Sequence, residues 1–183
     1  MKFTAAILLL LLCPFMVAWG QVKAGSEEDH LFTQITSAPN VDARIELISS
    51  FEQRFPQSPI LARIYLMAVD AYREKNDRLR VNEYGEKVLK LDDSNITAMM
   101  VLSRSYAMES ANLDRAITLA HKAMDRLKSM REGPVPAGYS STQWEDYLKA
   151  NEAAAQQIVQ YVDAINARSN LLKNAPANGT AGK

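Results

Sequence analysis

The feature that most constrains this 183-residue chain is an internal repeat. Apolar positions recur at helical spacing along most of its length, and no stretch alternates at period two for long enough to make a strand. Breakers cut the helical pattern at Ala38-Pro39-Asn40, Phe55-Pro56-Gln57-Ser58-Pro59, Lys75-Asn76-Asp77, Asp92-Asp93-Ser94-Asn95 and Ser110-Ala111-Asn112. The helices between these breaks come in short-linked pairs. Tyr72 and Tyr106 hold equivalent places in successive first helices, 34 residues apart, and Val88 and Ala123 hold equivalent places in the second helices, 35 apart. A weaker unit upstream puts Ile35 and Phe51 in the same two roles, each 37 residues earlier. One such hairpin cannot bury its apolar face alone, so the pattern predicts an all-α array in which neighbours bury it for one another.

Two helices per unit at a period near 34 resemble the tetratricopeptide repeat (TPR). In the unit from Ala62 to Asn95, the first helix carries Tyr65, Ala68, Val69 and Tyr72, and Asn76-Asp77 takes the turn where the family often has Gly-Asp. Val81, Gly85 and Val88 follow on the second helix, then Leu89, Leu91 and Asn95. The next unit repeats this with Met99, Leu102, Ser103 and Tyr106, then Ala116, Ala120 and Ala123 after one extra turn residue. Small residues at Gly85, Ala116, Ala120 and Ala123 let helices approach closely, while the tyrosines fill the seams. Val69 stands where a small residue is usual and Asp93 where proline is usual, and neither unit has the family's common tryptophan. The resemblance is close over residues 60–128, loose over 27–59 and absent as a full repeat beyond 131. It implies a short right-handed α-solenoid: a degenerate helix pair within 21–59, two TPR-like repeats over 60–130, a Pro/Gly linker over 131–141 and a long C-terminal capping helix over 142–170.

That last helix has its own start signal, with Thr142 placed to cap the free amides and Glu145 to reach back. Its inner side is expected to be Trp144, Leu148, Ile158, Val159, Val162 and Ile165, covering the apolar end of the last repeat. The stretch from Pro136 to Tyr161 is also similar to a spacer and helix found in some exported bacterial TPR proteins. The tail, 171–183, ends rich in Ala, Asn and Gly and is expected to be disordered.

Residues 1–20 read as a signal peptide: Lys2, an apolar run from Ala5 to Leu12 continuing to Val17, then Ala18 and Gly20 before a cut at Gln21. An uncleaved anchor competes, because Phe3 to Gly20 approaches the roughly 17 residues a span requires; Pro14 and the small-residue ending favour cleavage. The only cysteine, Cys13, lies in this leader after Leu12, the wrong neighbour for a lipid attachment box. The remaining chain has no thiol for disulfides, Fe–S clusters or nucleophilic catalysis. An exported, cysteine-free domain points to a periplasmic or extracellular protein of a bacterial envelope. With 21 basic and 21 acidic residues, and Lys2 lost with the leader, a nucleic-acid partner is not expected. Nor is a membrane expected to be bound after cleavage.

Few residues offer chemistry. Glu27 and His30 share a helix face, but a di-metal bundle site needs a second such motif, and His121 has Thr118 in the matching place. Asp92-Asp93-Ser94-Asn95 opens like a calcium loop without its glycine or closing glutamate, and reads better as an inter-repeat turn. No Gly-rich phosphate loop, nucleophile elbow or His-Glu-x-x-His motif is present. The expectation is a non-enzyme without cofactor or metal. By the resemblance, the concave groove of the array is lined by Arg63, Leu66, Asp70, Arg73 and Glu74, then Thr97, Met100, Arg104, Ala107 and Met108. Arginines over a Leu/Met floor suit a protein or peptide partner of loose sequence; the plain alternative is a solvated face. Leu66 and Asp70 fill the places where chaperone-tail-binding repeats use lysine and asparagine, which argues against that ligand. Two other readings stay open: a structural protein that self-associates through its ends, and a membrane-tethered assembly factor that keeps its leader.

Overall fold

A computed structural model describes residues 22–174. The leader reading of 1–20 and the end of the tail lie outside the described residues. Those described form seven helices: α1 (Glu27–Thr36), α2 (Val41–Arg54), α3 (Leu61–Glu74), α4 (Arg78–Leu91), α5 (Ile96–Met108), α6 (Leu113–Arg131) and α7 (Ser141–Asn174). They contain no strand. Each helix packs on the next, and α7 also reaches back to α5.

Local chemistry sets the boundaries. Ser26, Asn40, Asp77 and Asn95 each accept the backbone N–H three residues on, satisfying a donor that the first turn of a helix leaves free. Asn76 adopts φ 58° between α3 and α4, taking the left-handed turn where glycine would otherwise serve. Ser110 and Asn112 do the same between α5 and α6, each at φ 50°. The Asp92 carboxylate accepts the amide and hydroxyl of Ser94, at 3.1 and 2.8 Å, and the Asn95 side chain at 3.0 Å. It is thus an organiser of the turn between α4 and α5.

Two adjoining cores result. The first gathers Leu31, Ile35, Ile48, Phe51, Ile64, Val69 and Val88 from α1–α4; the second gathers Met99, Leu102, Leu119, Leu127, Leu148 and Val162 from α5–α7, with Leu89 touching both. Gly85 marks a close approach between them: a Cβ there would lie 2.8 Å from Cγ of Leu102, which is fully buried. Glycine in a helix interior costs about 1 kcal/mol relative to alanine, and here it is the contact of α4 with α5 that requires it.

The start and length of α7 differ from the expectation. Its capping box is Ser140–Gln143 instead of Thr142–Glu145: the Gln143 amide donates to Ser140 Oγ at 3.2 Å and the Ser140 amide to Gln143 Oε1 at 2.9 Å. Glu145 is occupied elsewhere, pairing with Arg131 at 3.2 Å. The helix continues past 170 to Asn174, because nothing in Arg168-Ser169-Asn170-Leu171-Leu172-Lys173 stops a helix and the first breaker is Pro176. Trp144, Leu148, Ala155, Ile158 and Val162 are buried, while Val159 and Ile165 are half-buried. Arg131 fastens the two helices with a bidentate pair to Glu152, at 2.7 and 2.9 Å.

A polar seam occurs twice, at a spacing of 34 residues. Glu52 on α2 accepts the Tyr65 hydroxyl at 2.9 Å, the Tyr84 hydroxyl at 3.3 Å and Lys87 Nζ at 2.9 Å. Thirty-four residues on, Glu86 on α4 accepts the Tyr106 hydroxyl at 3.0 Å and Arg115 at 2.9 and 3.3 Å. Burial, aided by these carboxylates, pushes the phenols of Tyr65, Tyr84 and Tyr106 up to about 12.

Gly85→Ala is expected to destabilise the chain by about 1 kcal/mol, overpacking of roughly 1–3 kcal/mol being partly offset by helix propensity. Gly85→Leu should lose several times more, and urea denaturation of the three proteins checks the order. The seam predicts a specific alkaline response. Since these three phenols hold their protons more tightly folded than unfolded, their stabilisation is complete below pH 10 and is lost as pH rises towards 12. Phenolate absorbance should show a late-titrating group of tyrosines that merges with the rest in denaturant.

Candidate binding cleft

The end of α3, the start of α4, the length of α5 and the middle of α7 enclose an open cleft of about 370 Å³. That lies near the lower end of the range for ligand sites, roughly 300–1,000 Å³. Arg73, Asn76 and Arg78 come from the α3–α4 corner, Val81 from α4, Met100, Val101, Arg104, Ser105 and Met108 from α5, and Asn151 and Ala154 from α7. A second recess of about 300 Å³ shares Arg104, Met108 and Ala154 and adds Ala107, Gln157, Ile158 and Tyr161.

Four of the groove positions expected from sequence meet here: Arg73, Met100, Arg104 and Met108. The other six, Arg63, Leu66, Asp70, Glu74, Thr97 and Ala107, do not line this cleft. Leu66 is half-buried against the α1–α4 core, and Arg63 stacks over the Phe32 ring with its guanidinium carbon 4.6 Å from the centroid. Asp70 is exposed beside Arg73, 3.3 Å away, and Thr97 is exposed at the start of α5. Glu74 is exposed, whereas Ala107 is 2% exposed and belongs to the α5–α7 core as well as to the rim of the second recess.

Asn76, Arg78, Val81, Val101, Ser105, Asn151 and Ala154 were not expected in the site. Arg78 follows from the left-handed turn at Asn76, which aims the first residue of α4 at the corner of the cleft. The α7 residues enter because that helix lies beside α5. The helical spacing of Asn151 and Ala154 with Trp144 and Leu148 was readable, but not the surface they would face.

The cleft is chemically one-sided. Met100, Val101, Val81 and Met108 make an apolar floor, with Met108 56% exposed. Three guanidiniums border it, and no Asp or Glu is among its lining residues. Arg73 shares Asp70, whereas neither Arg78 nor Arg104 has a carboxylate within 4.0 Å among the described residues. Ser105, on the α5 wall, is 8% exposed and its hydroxyl has no hydrogen-bond partner. Its neighbour Ser103 is fully buried and donates to the Ala116 carbonyl at 2.7 Å, joining α5 to α6. Asn151 spends its amide group on the Tyr147 carbonyl at 2.8 Å.

His30 and His121 are exposed and neither lines the cleft. Among the described residues no three His, Cys, Asp or Glu side chains are grouped to hold a metal ion, and no helix is long and apolar enough to cross a membrane.

The two serines should respond oppositely to alanine. Ser105→Ala removes a buried hydroxyl without a partner and is expected to raise stability by about 1 kcal/mol, whereas Ser103→Ala loses a satisfied bond and should lower it by up to about 1 kcal/mol. Urea midpoints of the two variants against the parent check this.

No protein-family model matches the chain, and no curated protein or solved structure matches it either.

Proposed function

We propose that this protein is a non-enzymatic scaffold that binds a protein or peptide partner, built as a short right-handed α-solenoid of TPR type and exported to work in a bacterial cell envelope. The observation that carries this reading is the convergence of Arg73, Met100, Arg104 and Met108 on one open cleft. Flexible thioethers adapt to varied side chains, and arginines around them supply directional hydrogen bonds. The succession of packed helix pairs, with a polar seam repeating after 34 residues, supports the repeat architecture.

A second reading, self-association, draws support from the far end of α7. Leu171 is 73% exposed and Tyr161 50% exposed, on a helix that runs beyond its last well-buried residue, Val162. Sedimentation across a concentration series separates the two, since self-assembly must grow with concentration.

The direct test is a crosslinked pull-down from the envelope fraction, the parent protein beside Arg104→Glu with Met108→Glu. Both residues are exposed, so circular dichroism should find both proteins equally helical. A partner crosslinked to α5 of the parent and lost from the variant is the expected result. Full partner capture by the variant overturns the assignment of the cleft.

A further inference from the structure

The charge of the cleft narrows the class of partner. We infer that the cleft selects a peptide segment carrying acidic side chains beside apolar ones, a refinement that rests on the peptide-binding reading above. Charge complementarity makes the case. Overall the chain is balanced, 21 basic residues against 21 acidic, so a pocket wall chosen at random would mix signs. This wall does not: Arg73, Arg78 and Arg104 border it and no carboxylate lines it.

Arg78 and Arg104 come from different helices, border the same opening and pair with no carboxylate among the described residues. What sets them apart from other unpaired arginines of the chain is this convergence on one apolar-floored opening. Guanidinium is a planar donor fork suited to a carboxylate, and two such forks beside a low-dielectric wall attract an anion more strongly than they would in open water.

Met100, Val81 and Met108 set the second requirement, an apolar neighbour for the acidic residue. At about 370 Å³ and open to solvent, the cleft suits side chains projecting from an extended segment rather than a whole docked helix.

The test uses short fluorescent peptides of one leucine-rich host sequence, with glutamate, glutamine or lysine at the same alternate positions, each made with a free or an amidated C-terminus. Fluorescence anisotropy with the full chain should find the glutamate peptide bound at least about tenfold more tightly than the glutamine peptide, as expected for charge-assisted hydrogen bonds. The lysine peptide should be weakest. The preference should shrink as salt is raised and should fall to near parity in Arg78→Gln with Arg104→Gln. Amidation should change little if side-chain carboxylates are recognised. Equal binding of glutamate and glutamine peptides, no binding of the glutamate peptide, or a preference that survives loss of both arginines overturns the inference. A preference set by the free C-terminus alone overturns it too. In any of these cases, partner capture that still depends on Arg104 and Met108 leaves the broader peptide-binding reading standing.

Discussion

A stack of helix hairpins has an apolar end that something must cover, and here the covering helix is α7. Without it, the faces of α5 and α6 that bear Leu119, Leu127 and Met99 would meet water along one side. Trp144, Leu148, Ala155, Ile158 and Val162 close that side. Fully burying a Leu, Ile or Val side chain is worth roughly 1.5–3 kcal/mol, so Leu148, Ile158 and Val162 are the main force that docks α7. Arg131 adds geometry, fixing α7 against the end of α6 through Glu145 and Glu152, both partly exposed and so of modest energetic weight. The same docking makes the cleft, since Asn151 and Ala154 are its outer wall. Stability and site therefore depend on one helix placement.

Much of the fold was legible because its determinants are local. Ser26, Asn95 and the Asn76-Asp77 turn announce themselves by residue type, and the structure places caps and a left-handed turn there. Helix pairing follows from the 34-residue recurrence of Tyr72 and Tyr106. Where two local signals competed, sequence could not choose: Thr142–Glu145 and Ser140–Gln143 both fit a capping box, and the pairing of Glu145 with Arg131, a tertiary fact, decides between them. The recurrence of Glu52 and Glu86 at the repeat period was also readable. It was masked because carboxylates on a helix usually belong to a solvated face.

The site was legible by halves, for a physical reason. Arg73, Met100, Arg104 and Met108 sit on α3 and α5, and position within a repeat was enough to bring them together. Arg63, Leu66, Asp70 and Thr97 follow the same register but sit beyond the reach of α7, on an open face or against the α1–α4 core. Ser105 illustrates the remaining gap. A serine on a helix can bond to its own turn, to a neighbouring helix as Ser103 does, or to nothing, and only the packing around it decides.

Both the covered core and the cleft require α7 to be part of the folded body. Native-state hydrogen exchange of the full chain reads this directly, because amides that open together exchange together. The prediction is that amides from Trp144 to Val162 are protected to the same degree as those of α5 and α6 and respond to urea in step with them, while those beyond Ile165 exchange faster. Rapid exchange along the whole of α7, with α5 and α6 still protected, would contradict the account, since neither the covered core nor the cleft would then exist as described.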